Sequence, residues 1–128
     1  LESHTERISY AGTVSDAQLR WLYSNCRALV TVAHEDFGLT PLEANLFGRP
    51  AVVVRSGGFL DTVVEGVNGT FCADATPESF AAAVLAMPSF NPNAVRKHAE
   101  AFSAADFSSK MRLIVSRTWK RYRDLQLE

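Results

Sequence analysis

Two short apolar runs constrain the fold of this chain more than any other feature. Residues 28–33 read Ala-Leu-Val-Thr-Val-Ala, residues 51–54 read Ala-Val-Val-Val, and neither run contains a charged residue. Strands without charge are typical of parallel sheets that are covered on both faces. A glycine-containing turn and a helical pattern follow each run, which predicts βα units joined by right-handed crossovers. The expected fold class is therefore α/β, with a Rossmann-like parallel sheet and flanking helices.

Two further strands and six helices are predicted around these runs. The strands cover residues 8–11 and residues 70–72, the second following a turn at 66–69. The first predicted helix begins at Ser15 or Asp16, the second covers 41–47 and the third ends at Gly66. The fourth begins after Thr76, and the last two cover 93–102 and 106–128. With 128 residues the chain is long enough for one domain with a core of its own.

Apolar residues at three- and four-residue steps indicate which helix faces should be buried. The expected buried residues are Leu19, Leu22, Tyr23 and Cys26 in the first helix, Phe80, Val84 and Leu85 in the helix after Thr76, and Phe107, Met111, Ile114, Val115, Thr118, Tyr122 and Leu125 in the last. The opposite face of the last helix is basic, so it could rest on anionic lipid. We favour a packed helix with a solvated outer face, and membrane contact stays open.

Composition and charge exclude several classes of protein. Apolar residues make up 47% of the chain and charged residues 21%, as in soluble globular proteins. The net charge of −1 provides no overall field for nucleic acid. No apolar run approaches the roughly 20 residues that span a bilayer, and no signal peptide opens the sequence. Cys26 and Cys72 are predicted to be buried free thiols, no metal site is predicted, and a cytoplasmic location is expected.

The candidate site is the segment that joins the first apolar run to its helix. Residues 35–43 read Glu-Asp-Phe-Gly-Leu-Thr-Pro-Leu-Glu, with a carboxylate at each end and a glycine turn between them. A helix N-terminus after such a turn binds anions, and ionised carboxylates accept hydrogen bonds from hydroxyl groups. Phosphate in the middle and hydroxyls at both ends together describe a nucleotide sugar. Gly57 and Gly58 follow the next strand, and we expect them to lie beside this segment.

Glu43 also has a structural interpretation. The spacing Thr40-x-x-Glu43 matches a capping box, in which each side chain accepts a hydrogen bond from the other residue's backbone amide. Spacing alone favours the cap. A ligand role and a cap can also alternate, with Glu43 capping the empty helix and releasing it when nucleotide arrives.

Four blocks in order resemble glycosyltransferase family 4. They are residues 8–16, the stretch 34–50, Ser56-Gly-Gly58 and Gly66-Val-Asn-Gly69, and the likeness runs from about residue 8 to residue 108. Members of that family are retaining enzymes of the GT-B type, with two Rossmann-like domains that face a cleft. The resemblance implies that residues 1–128 are a partial nucleotide-sugar-binding domain, the latter part of the C-terminal domain.

The resemblance also implies roles for individual residues. Glu35 would be the catalytic residue, facing the donor sugar near its reacting carbon, where it orients and stabilises charge instead of acting as a base. Glu43 would hold the ribose hydroxyls. The remaining donor-binding residues would be Phe37, Gly38, Leu39, Thr40, Gly57 and Gly58. Asp61 stands where the family usually has a glutamate, so its role is in doubt.

The resemblance further implies the substrates. The form Glu-Asp-Phe-Gly-Leu-Thr-Pro looks most like bacterial mannosyltransferases of polysaccharide assembly, which makes GDP-mannose the first choice of donor, with no other cofactor. A saccharide or lipid-linked acceptor would bind an N-terminal domain that is absent here. A peripheral location at the inner face of the membrane stays open. The family's basic pair, an Arg and a Lys, is absent too, so we expect no turnover from this chain alone.

Three further expectations stay open at this point. A partial sheet would leave unpaired strand edges, which either the strand at 8–11 or another copy of the chain by self-association would cover, and the sequence does not decide between the two. A nucleotide-sugar epimerase of the same fold is an alternative function. A non-catalytic interaction module with a vestigial site is another.

Overall fold

The structure is a computed structural model that describes residues 7–125. Its sheet has three parallel strands in the order β1-β2-β3, namely Leu29–Thr31, Ala51–Val54 and Gly69–Cys72. In the register Val30 pairs with Val52, and Val52 pairs with Thr70. The predicted α/β class with a parallel sheet is therefore confirmed.

The described part of the chain also contains six helices. They are α1 (Asp16–Asn25), α2 (Leu39–Leu46), α3 (Phe59–Thr62), α4 (Pro77–Ala86), α5 (Pro92–Glu100) and α6 (Ala104–Leu125). Ser15 caps α1 in a capping box with Gln18, and Thr76 caps α4 ahead of Pro77, as the sequence predicts. The last three residues of the predicted 106–128 helix lie outside the described residues.

The core lies on both faces of β2. Val53 packs with Phe59 and Val63 on one face, whereas Val52 packs with Cys72 and Phe80 on the other. Because successive side chains of a strand point to opposite faces, a strand covered by helices on both sides needs an unbroken apolar run. Residues 51–53 are 0% exposed, which explains why this run contains no polar residue.

A pair of buried asparagines joins α2 to the turn before β3. Asn68 Nδ2 donates to Asn45 Oδ1 at 2.7 Å and to the Thr62 carbonyl at 3.0 Å, while Asn68 Oδ1 accepts from the Val64 amide at 2.7 Å. Asn45 Nδ2 donates to the Asn68 carbonyl at 3.0 Å and to the Arg49 carbonyl at 2.7 Å. Both asparagines are 0% exposed, so the network fixes the ends of α2 and α3 that point away from the candidate site.

The strand predicted at residues 8–11 is wrong. This segment has no strand geometry, and its side chains Ile8 and Tyr10 are 73% and 96% exposed. A single strand is not stable until a neighbour pairs with it, and among the described residues β1 pairs only with β2. The first apolar run also forms a shorter strand than predicted, and Val30 and Val32 at the sheet edge are 48% and 63% exposed.

Several predicted buried faces are exposed. In α1 only Tyr23 is buried, while Leu19 and Leu22 are 36% and 39% exposed, and Leu85 of α4 is 85% exposed. Helix α6 buries no side chain along its 22 residues, so the favoured interpretation of a packed helix is wrong for this chain. Periodicity shows which face of a helix is apolar, but burial needs a second element. Such an element covers Tyr23 of α1 and Phe80 of α4, whereas the described residues place none against α6.

The two cysteines are free, with Cys72 buried and Cys26 half-buried. Burial raises the pKa of the Cys72 thiol above its usual range. In residues 7–125 no helix is both long and apolar enough to cross a membrane.

Candidate functional site

Helix α2 begins directly after a glycine in the left-handed conformation. Gly38 has φ +84° and ψ +62°, and no side chain caps the helix. Thr40 is the second residue inside α2, so it cannot cap the helix, and the predicted capping box with Glu43 is wrong. The physical reason is that glycine adopts this backbone conformation without strain, which lets the helix start two residues before Pro41. The first amides of α2 therefore have neither an intrahelical partner nor a side-chain cap.

The two glycine-containing loops lie against each other through their backbones. The Gly58 amide donates to the Glu35 carbonyl at 2.7 Å. A Cβ built on Gly58 would lie 2.3 Å from Phe37 Cα, and one built on Gly57 would lie 2.5 Å from the Glu35 carbonyl oxygen. Only glycine fits at both positions. The expected proximity of the two motifs is present in the structure.

Helix α3 packs against the turn at Gly38. A Cβ on Gly38 would lie 2.6 Å from the Phe59 ring and 3.1 Å from Thr62 Oγ1. Thr62 Oγ1 donates to the Gly58 carbonyl at 3.1 Å, so the same residue also holds the second loop. The start of α2 is thus fixed by its contacts with α3, which sequence reasoning did not identify.

Glu43 projects from the first turns of α2 with its side chain exposed. Its Oε2 accepts a hydrogen bond from the Tyr23 hydroxyl at 2.9 Å. Burial, together with this contact to Glu43, raises the pKa of Tyr23 to about 12. Tyr23 is predicted from sequence only as a core residue of α1. No local signal joins two residues that lie 20 positions apart, so this contact needs the tertiary structure.

Two shallow cavities adjoin Glu43. One of about 410 Å³ is lined by Tyr23, Arg20 and Phe47 among others, and one of about 310 Å³ lies between α2 and the residues 99–103. Glu35 lines neither of them. The structure therefore brings Glu43 to these cavities and leaves the exposed Glu35 side chain on the loop beside Gly57.

The other predicted donor-binding residues lie on the same two loops. Phe37 and Leu39 are 46% and 61% exposed, Thr40 is exposed, and Gly58 is buried. The Phe37 ring packs edge-to-face on Phe102, with 6.1 Å between the ring centroids. Residues 37–40 form the turn and the first residues of α2, and Gly58 lies against Phe37. The donor contact through backbone amides stays a prediction. No group of three or more potential metal ligands is found in residues 7–125.

The sequence that forms this site matches a known family of enzymes. The sequence model of the glycosyl transferases group 1 family matches residues 3–103. The chain belongs to this family. The resemblance of the four motif blocks to glycosyltransferase family 4 is confirmed at this level, and the glycine loops and the Glu35–Glu43 segment all fall inside the matched range.

Two similar proteins are also glycosyltransferases by name. The chain is 42% identical over 67 residues to an alpha-1,3/1,6-mannosyltransferase ALG2 from Dictyostelium discoideum, covering 52% of this chain and 16% of the relative. It is 32% identical over 117 residues to a D-inositol 3-phosphate glycosyltransferase 2 from Catenulispora acidiphila, covering 82% and 27%. Neither relative supports the epimerase or the interaction-module alternative.

Solved structures share the fold. A sucrose-phosphate synthase from Thermosynechococcus elongatus superposes with a TM-score of 0.70 at 22% identity, covering 91% of this chain and 31% of that one. Anabaena HepE in complex with UDP and glucose gives a TM-score of 0.58 at 22% identity, covering 90% and 32%. The chain thus has the fold of part of a GT-B glycosyltransferase and spans less than a third of the length of these proteins.

Proposed function

We propose that this chain is the donor-binding part of a retaining hexosyltransferase that moves mannose from a nucleotide sugar to a saccharide or lipid-linked acceptor. The observation that carries the proposal is the uncapped start of α2 after Gly38, set against the Gly57–Gly58 loop in a member of the glycosyl transferases group 1 family. The acceptor would bind outside the residues of this chain.

The start of α2 supplies the binding site for the donor diphosphate. Its first amides, at Leu39 and Thr40, lack partners of their own and lie at the positive end of the helix dipole. During transfer, negative charge develops on the diphosphate as the bond to the sugar breaks. Amides that are already oriented stabilise this charge without reorganisation, which is the most effective form of electrostatic catalysis.

The two glutamates hold the ends of the donor. Glu43 accepts hydrogen bonds from the ribose hydroxyls, and Glu35 contacts the sugar hydroxyls near the reacting carbon. Both side chains are exposed, so neither carboxylate has to be withdrawn from the core to reach a ligand. No metal or further cofactor takes part in this proposal.

Mannose is the first choice of sugar because two relatives are mannosyltransferases by name. The Dictyostelium protein is 42% identical and the mouse protein 37% identical to this chain, over 67 and 73 residues. Both alignments cover little more than half of this chain. GDP-mannose is therefore the first donor to test, and UDP-glucose is the second because the fold neighbour HepE is in complex with UDP and glucose.

The test compares two alanine variants in the complete enzyme. Glu43→Ala should weaken donor binding by about 1–3 kcal/mol, since hydrogen bonds to the ribose hydroxyls are lost. Glu35→Ala should lower kcat more than it lowers affinity, because its contact strengthens in the transition state. Glu78→Ala, an exposed glutamate in the first turn of α4, is the matched control and should change neither quantity.

Transfer of labelled sugar to an acceptor and calorimetric titration with donor provide the two readouts. Equal losses of affinity from both variants, with kcat intact, would argue against a catalytic role for Glu35. Conversion of the donor to an epimer without transfer would contradict the proposed reaction.

A further inference from the structure

The hydroxyl of Tyr23 is directed at one carboxylate oxygen. It donates to Glu43 Oε2 at 2.9 Å, and it has no other hydrogen-bond partner within residues 7–125. The Tyr23 side chain is 9% exposed, and its ring stacks on Phe47 with 5.9 Å between the ring centroids. Packing therefore fixes the direction in which the hydroxyl points.

This hydrogen bond is not needed to satisfy a buried charge. Glu43 is exposed, and water could solvate its carboxylate in the absence of Tyr23. Arg20 lines the same cavity of about 410 Å³ but forms no ion pair with Glu43 among the described residues. The bond also leaves Glu43 Oε1 without a hydrogen-bond partner in that part of the chain. One oxygen is anchored and the other is available beside a cavity.

We propose that Tyr23 is a positioning residue, which holds Glu43 by Oε2 so that Oε1 accepts hydrogen bonds from the hydroxyls of the donor ribose. The inference rests on the proposed ribose role of Glu43. An exposed glutamate loses rotamer freedom when a ligand orders it, and this loss opposes binding. A side chain that Tyr23 has already ordered loses less, so the tyrosine raises affinity without touching the nucleotide.

The test removes the hydroxyl and retains the ring. Tyr23→Phe in the complete enzyme is titrated by calorimetry with GDP, UDP and the 2′,3′-dideoxy analogue of each. We expect binding of the ribonucleotide to weaken by about three- to tenfold, the cost of ordering one side chain on binding, and binding of its dideoxy analogue to be unchanged. A merely structural role would weaken both nucleotides alike, and that result would overturn the inference. Tyr122→Phe, on the exposed α6, is the matched control and should change neither.

Glu43→Ala separates failure of this inference from failure of the proposed function. If Glu43→Ala weakens the ribonucleotide selectively and Tyr23→Phe does not, the ribose role stands and the inference falls. If Glu43→Ala shows no selectivity, or if none of the nucleotides binds the unaltered enzyme, both fall. Tyr23→Phe added to Glu43→Ala should cause no further selective loss, because the tyrosine then has nothing to position. A second, additive selective loss would contradict the inference.

Discussion

The two loops of the candidate site and the last helix differ in how fully this chain determines their surroundings. In the loops, a methyl group added at Gly58 would lie 2.3 Å from Phe37 Cα, so backbone packs directly on backbone. Helix α6 runs for 22 residues and buries no side chain. The geometry of the candidate site is therefore built from contacts within the described residues. The apolar face of α6 receives no such contacts from them.

The largest expected effect comes from Gly58→Ala. Its φ of −64° suits any residue, so the destabilisation would come only from the clash with the Phe37 backbone. We expect the free energy of unfolding to fall by about 3 kcal/mol or more, at the upper end of overpacking, and nucleotide binding to be lost. Urea denaturation measures the first quantity and calorimetry the second.

Gly66→Ala is the matched control for that variant. Gly66 has a left-handed φ of +75°, but a Cβ there would meet no atom within 4 Å. Backbone strain alone should therefore destabilise the chain by about 1–2 kcal/mol. Similar losses at Gly58 and Gly66 would show that the loops are not in close backbone contact.

The asparagine pair should give the next largest effect. Asn68→Ala leaves the Asn45 side chain, the Thr62 carbonyl and the Val64 amide short of a buried partner. A loss of about 2–3 kcal/mol in the free energy of unfolding is expected. Asn45→Ala combined with Asn68→Ala should be less destabilising than the sum of the two single changes, because the partners are shared. Additive losses would contradict a coupled network.

One substitution made at two valines compares the core with α6 directly. Val95 is 0% exposed and Val115 is 60% exposed. Val95→Ala should lower the free energy of unfolding by about 2 kcal/mol, through lost burial and the cavity that remains. Val115→Ala should change it by less than about 0.5 kcal/mol, as is usual for exposed positions. A large loss at Val115 would show that α6 packs against the rest of the chain.

An effect confined to alkaline pH is expected from Tyr23. Folding raises the pKa of Tyr23 from about 10 to about 12, so the folded state retains a proton that the unfolded state releases. The stabilisation is present below about pH 10 and is lost as the pH rises through about 12. Tyr23→Phe should make the fall in stability over this range less steep, as urea denaturation at several pH values would measure. An unchanged slope would argue against the burial of the Tyr23 hydroxyl together with its contact with Glu43.

Sequence patterns predicted the parts of the structure that local physics determines. The uncharged run at 51–54 forms the central strand, and the caps at Ser15 and Thr76 begin α1 and α4. The proximity of the glycine loops followed from the rule that the ends of parallel strands share one edge. These features depend on periodicity, on capping chemistry or on topology, and each can be seen in a few consecutive residues.

The predictions that are wrong concern features that depend on residues far away in the sequence. Thr40 and Glu43 have the spacing of a capping box, but the helix begins earlier, directly after Gly38, and the Glu43 carboxylate accepts a hydrogen bond from Tyr23 instead. The strand at residues 8–11 has a suitable sequence but pairs with no other strand in the described residues. The apolar face of α6 has the right period, and the described residues place nothing against it. All three features depend on contacts between residues that are far apart in the sequence.

A crystal structure of the complete enzyme with a bound nucleoside diphosphate tests the central claim most directly. The proposal predicts phosphate oxygens within hydrogen-bonding distance of the amides at the start of α2, after Gly38. It also predicts ribose hydroxyls on Glu43, with the Tyr23 hydroxyl still bonded to the other carboxylate oxygen. A nucleotide bound elsewhere, with Glu43 contacting only Tyr23, would contradict the assignment of this chain as the donor site.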